Sequence, residues 1–108
     1  MNMYTFYSDA GHGWLRVPVA ELIKLDLCEK ITSYSYLSPS GKWAYLEEDL
    51  DLTTFLLARD GNSTAWMQAN TKTKYSTRSS IRGYRPFNRG LALYFHAKSK
   101  SNQKGEIK

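Results

Sequence analysis

Between Asp60 and Glu106 this 108-residue sequence contains no acidic residue, and along its whole length it has a single cysteine. One thiol, Cys28, forms no internal disulfide and builds no thiolate zinc site on its own, so a reducing, cytosolic setting is the simplest fit. No apolar run approaches the roughly 18 residues that a membrane span requires. The Met1-Asn2-Met3-Tyr4 start lacks the basic and apolar stretches of a secretory signal. The phosphate-binding GxxxxGK[ST] and GxGxxG loops, the HExxH zinc helix and the GxSxG nucleophile turn are all missing, which removes the commonest enzyme signatures. Disorder is excluded as well, because 42% hydrophobic and 14% aromatic content suffices for a folded core. What remains is one small globular domain.

Its charge is lopsided. Residues 1–70 hold five cations against nine acids, net −4, whereas residues 71–108 hold ten cations against Glu106 alone, net +9. An asymmetry of this kind points to an anionic partner for the basic end. The last ten residues, 99–108, have almost no apolar content and read as a flexible basic tail, leaving 1–98 as the folded α+β domain.

Periodicity outlines the elements. Met3–Tyr7 and Trp14–Val17 read as strands around a Ser8–Gly13 turn. Pro18 suits a first helical turn, and Val19, Leu22, Ile23 and Leu27 follow on one helical face, so a helix is predicted to end near Cys28. Lys30–Leu37 alternates as a strand, Ser38-Pro39-Ser40-Gly41 is a turn, and Lys42–Leu46 completes a hairpin. Tyr34 and Tyr36 then face Trp43 and Tyr45 across that hairpin. Glu47–Asp51 opens a second helix, capped by Asp49 or Asp51, with Leu52, Phe55 and Leu56 buried and Gly61 as its stop. That structural role accounts for the acidic run without a metal. Ser63–Gln68 reads as a short strand carrying Trp66, residues 70–90 as a long basic loop, and Leu91–Ala97 as a last strand. The expected fold is therefore α+β: an antiparallel sheet of four to five strands with two helices packed on it.

Three places could carry chemistry. Asp9-x-x-His12 beside two glycines could pair a base with its orienter, but no third ligand completes a metal site and no nucleophile is at hand. The competing reading, a tight turn set by Asp9 and the glycines with His12 and Trp14 packed over it, needs nothing more. His96 alternates with apolar neighbours and reads as a half-buried sheet residue. Cys28, near a helix C-terminus, reads as an inert thiol. The expectation is a protein without catalytic residues, metal or cofactor.

The segment 72–89 is different. Lys72, Lys74, Arg78, Arg82, Arg85 and Arg89 are interleaved with Tyr75, Tyr84 and Phe87, with serines and threonines between them and no acid. Cations neutralise phosphate, rings stack on bases, and hydroxyls bond phosphate oxygens, so this mixture suits nucleic acid or a nucleoprotein complex. Arg82-Gly83-Tyr84 shares the opening of an RNA-recognition-motif strand, but Pro86 and the missing apolar continuation break that match. Two structural readings compete: Tyr84 and Phe87 pin the loop to the core, or the loop pairs with Glu47–Asp51. A second candidate surface, for a protein partner, comprises His12 and Trp14 of the first turn with Tyr34, Tyr36, Trp43 and Tyr45 of the hairpin.

The stretch Phe6-Tyr7-Ser8-Asp9-Ala10-Gly11-His12-Gly13-Trp14-Leu15-Arg16-Val17, with Ile31–Tyr36 and Ala44–Asp49, resembles a family of small uncharacterised proteins of bacteriophages, prophages and plasmids. Its members open with F-x-S-D-x-G-H-G-W-L-x-V, and the likeness covers roughly residues 3–60. The resemblance implies a mobile-element accessory protein in the cytoplasm of a bacterial host. Proteins of that setting often block host defences of the CRISPR or restriction type by binding them. It implies no site residues.

Overall fold

Leu15 and Val17 alternate with Trp14 and Arg16, and this period of two divides the molecule into two unequal layers. In the computed structural model, which describes residues 4–59 and 63–107 (side chains for 4–59 and 65–100), six strands form one open sheet. They are β1 (Tyr4–Ser8), β2 (Gly13–Pro18), β3 (Tyr36–Leu37), β4 (Trp43–Glu47), β5 (Thr71–Tyr75) and β6 (Arg85–Pro86). Four helices accompany them: α1 (Val19–Lys24), α2 (Asp51–Arg59), α3 (Ser63–Asn70) and α4 (Arg89–Ile107). The strand order is β5-β1-β2-β4-β3-β6. The class is α+β, with one more strand and two more helices than the sequence suggests. The sheet is mixed, because β5 runs parallel to β1 while the other pairs are antiparallel.

All four helices contribute to a single core on one face. Leu15, Val17, Ala44, Leu46 and Leu37 of the sheet meet Val19 and Leu22 of α1, Phe55 and Leu56 of α2, Trp66 of α3 and Ala92 of α4. The opposite face carries a second, smaller cluster of Trp14, Tyr45 and Ile81, flanked by Tyr7, Tyr36, Trp43 and Tyr84. Its cover is the segment after β5, whose 3-10 turn Ser80–Gly83 sets Ile81 on the rings.

Helix α1 stops at Lys24, earlier than the apolar spacing predicts. Asp26 adopts φ +59°, Leu27 N–H bonds Leu22 O and Asp26 N–H bonds Ile23 O. This is a Schellman stop sealed by the buried pair Leu22 and Leu27. The predicted strand over 30–37 shrinks to Tyr36–Leu37, because the residues before it wrap a buried carboxylate instead. Thr32 N–H, Thr32 Oγ1 and Ser35 Oγ all donate to Asp51, whose residue is 1% exposed. Asp51 is thus no helix cap, and neither is Asp49. Glu47 Oε1 accepts from Asp49 N–H and Leu50 N–H just ahead of α2. The proposed stop at Gly61 lies outside the described residues.

The back half departs most from expectation. Residues 63–70 are a helix because Ala65, Met67, Gln68 and Ala69 are good helix formers, and Trp66 packs edge-on against Phe55 at 6.0 Å. The predicted strand 91–97 is the start of α4. Asn88 Oδ1 caps it by accepting Leu91 N–H, and Ala92 is buried with Leu91, Phe95 and His96 half-buried at helical spacing. The helix carries the backbone through Ile107, across the segment expected to be a tail. Within 70–90, the polar Thr71–Tyr75 forms β5 because an edge strand exposed along most of its length needs no apolar face.

The hairpin turn stands as predicted. Gly41 N–H bonds Ser38 O, and Gly41 takes φ +77° beneath the Phe95 ring, which a Cβ would approach to 2.3 Å. Gly41→Ala therefore meets left-handed strain and a ring clash together. The expected loss is about 2–3 kcal/mol, read as a lower denaturant midpoint at unchanged slope.

Candidate nucleic-acid interface and adjoining cleft

Segment 72–89 does not form one patch. It starts on β5 at one edge of the sheet, crosses the open face, passes through β6 at the other edge and ends on the first residue of α4. Five inter-strand spacings of about 4.8 Å separate those edges by about 24 Å. Lys72, Lys74, Tyr75 and Arg78 lie exposed at or just beyond the β5 edge. Arg85 and Arg89 are exposed at the other, with the Arg85 guanidinium 5.5 Å from the Phe95 ring centroid. Phe87 is buried in the main core and Tyr84 packs on Tyr45 at 5.4 Å, so both pin the segment down.

Arg82 is committed to an intramolecular contact. Its Nε and Nη2 donate to Asp9 Oδ2 and Oδ1 at 2.6 and 2.8 Å. The acidic partner is thus Asp9, 73 residues away, rather than the Glu47–Asp51 run. Asp9 also accepts from the backbone N–H groups of Gly11, His12 and Ser79. The Arg82 guanidinium, aided by these amides and opposed by burial, holds the Asp9 carboxyl well below the usual carboxylate range. Because Asp9 grips the His12 backbone and not its ring, no base–orienter pair is formed. The His12 ring instead lies 6.0 Å from Trp14, as the turn reading requires.

Cys28 is buried, and burial pushes its thiol pKa up, with Arg89 opposing; the cause is desolvation rather than a helix terminus. His96 is half-buried on α4. Among the described residues, no three His, Cys, Asp or Glu side chains gather as metal ligands, and no helix is long and apolar enough to cross a membrane.

Register brings other residues to Lys72 and Lys74. Thr5 stands between Lys72 and Arg16, and Tyr7 between Lys74 and Trp14, all on the face without helices. The Arg16 guanidinium lies 4.4 Å from the Trp43 ring centroid and 5.8 Å from that of Tyr7. Among the described residues Arg16, Lys72, Lys74 and Arg78 have no carboxylate at ion-pair distance, whereas Arg59 pairs with Glu21. Tyr7 and Arg16 are absent from the sequence-derived site. The signal for them was Arg16 itself, a cation set between Leu15 and Val17 and so required to face the other way.

The second candidate surface also divides. His12, Trp14, Tyr34 and Tyr36 line one cleft of about 490 Å³ with Glu47, Asp49 and Arg82. Trp43 and Tyr45 lie outside it; Tyr45 is paired with Tyr36 in the sheet but buried beneath Tyr84. Tyr34, expected on the hairpin arm, stands ahead of β3 and outside the observed hairpin, 68% exposed at the cleft rim. The chain matches no family model, no curated protein and no solved structure.

Proposed function

We propose that this protein is a non-enzymatic accessory protein of a mobile genetic element that binds nucleic acid, free or in a nucleoprotein complex, with the β5 half of its open sheet face. The observation that carries this reading is the set of four cations, Arg16, Lys72, Lys74 and Arg78, that have no acidic partner among the described residues, with Arg16 beside the rings of Tyr7 and Trp43. Cations of this kind neutralise phosphate, and partly exposed rings beside them offer stacking surfaces. The mobile-element setting rests on the likeness of residues 3–60 to phage, prophage and plasmid proteins.

The β5 half and the β6 edge make different predictions. Lys72→Ala with Lys74→Ala and Arg78→Ala should weaken binding of a labelled single-stranded oligonucleotide at least tenfold at low salt. The same substitutions should lower the slope of log affinity against log salt by about two to three. Arg85→Ala with Arg89→Ala should leave both nearly unchanged. Fluorescence anisotropy across a salt series, on DNA and RNA, reads this directly. An absence of binding at low salt, or an equal loss from the two sets, sinks the reading.

A second reading is favoured by the cleft. A concave site with aromatic walls suits a protein partner, as expected of an inhibitor of a host defence complex or enzyme. On that reading Tyr34 and Tyr36 make the contact, Trp14 is a buried support packed edge-on against Tyr36, and the cations of β5 are incidental.

A further inference from the structure

We propose that the cleft between the first turn and the start of α2 is a socket for an arginine side chain of a protein partner. This deepens the second reading above and rests on it. The cleft differs in sign from the β5 edge. The Asp9 and Arg82 charges cancel within their own forked pair, so the remaining charges lining the cleft are the carboxylates of Glu47 and Asp49. Glu47 is 8% exposed. Its Oε1 takes the amides of Asp49 and Leu50, and its other oxygen has no donor among the described residues. Among the described residues no buried side-chain oxygen lacks a partner, so this second oxygen is open to solvent, and as part of the cleft lining it can accept an incoming N–H fork.

The walls select the kind of cation. Tyr34 and Tyr36 line the cleft together with the carboxylates, and a planar, weakly hydrated guanidinium can lie against a ring while bonding an acid in its own plane. An ammonium makes a point contact with one or the other. The molecule already uses the same pairing next door, where the Arg82 guanidinium sits 5.5 Å from the Trp14 ring centroid while bonding Asp9 in a fork. A nucleic-acid phosphate is disfavoured here by the sign of the two acids.

The test is a titration with N-acetyl-arginine amide, followed through the Trp14 indole N–H and the Tyr34 ring signals by NMR. Saturable shifts in the millimolar range are expected, at least threefold weaker with N-acetyl-lysine amide and absent with N-acetyl-glutamate amide. Asp49→Asn, an exposed change that spares the Glu47 cap, should weaken the arginine response at least threefold, and Glu47→Gln should abolish it. Lys72→Ala with Lys74→Ala should leave it intact, which separates this site from the nucleic-acid face. Lack of saturation, equal responses to arginine and glutamate amides, or an unchanged response in Asp49→Asn overturns the proposal. If Tyr34→Ala disrupts a purified protein complex while the arginine amide gives no shift, the protein-contact reading stands and the arginine socket falls.

Discussion

Asp51→Ala should cost about 4 kcal/mol of folding free energy, the largest loss expected of any single polar substitution in this chain. Three donors end on this one carboxylate: Thr32 N–H, Thr32 Oγ1 and Ser35 Oγ. Ser35 Oγ in turn accepts Glu47 N–H, so the network reaches the end of β4. Hydrogen bonds to charged acceptors contribute about 1.5–3 kcal/mol each, and shared partners make the total smaller than the sum. Alanine leaves these donors around a cavity that water must enter, since Ser35 is fully buried. For a domain of this size the change lowers the thermal midpoint by on the order of 20 °C. Asp51→Asn keeps the volume and one acceptor oxygen but turns an amide group toward the donors, and should recover less than half of the loss. Circular-dichroism melts of the two variants decide the matter. A midpoint within a few degrees of wild type in Asp51→Ala would show that the loop 31–35 is held by packing alone. Cleft binding should weaken as well, because Ser33 and Tyr34 lie between the residues that Asp51 anchors.

The reach of the sequence follows the range of the interactions that decide each element. Leu15 and Val17 against Trp14 and Arg16, and Ala44 and Leu46 against Trp43 and Tyr45, are local alternations with a buried face, and they appear as strands. The Ser38–Gly41 turn is local too. Thr71–Tyr75 is a strand only because β1 lies beside it, and its own residues carry no apolar period to announce it. Leu91–Ala97 satisfies alternation as well as helical spacing, a known ambiguity of short apolar runs, and Asn88 as a cap is what separates the two. For the candidate site, composition alone singled out Lys72, Lys74 and Arg78, but linear proximity placed Arg85 and Arg89 with them. The chain crosses the whole sheet between those groups, and no local pattern records that crossing. The tie of Arg82 to Asp9 is equally invisible, since both residues have plausible local roles in turns.

That tie makes the protein acid-sensitive at a defined place. The folded pKa of Asp9 is depressed, chiefly by its hydrogen-bonded contact with Arg82, while an unfolded aspartate titrates near about 4. A depressed carboxylate stabilises the fold fully above the unfolded value, and that contribution is lost as the pH falls from there toward the folded value. Arg82, whose pKa is raised further by the same pair, stays charged throughout and adds no slope. Asp9→Asn removes the titration, so the gap in thermal midpoint between wild type and variant should be widest at neutral pH. It should narrow steadily below about pH 4. The variant also loosens the segment after β5, because Asp9 accepts Ser79 N–H and holds Arg82 in the turn that seats Ile81 on Trp14 and Tyr45. Amide exchange at Ile81 and Tyr84, whose N–H groups bond within that turn, should quicken at least tenfold, with exchange in β2 and β4 little changed. Arg82→Lys should behave much like Asp9→Asn, since an ammonium cannot reproduce the fork. A gap that stays constant from neutral pH down to about pH 2 would assign the acid response to other carboxylates. Retained nucleic-acid affinity in Arg82→Lys, with the segment loosened, would place Arg82 in the scaffold and leave Lys72, Lys74 and Arg78 to bind the phosphates.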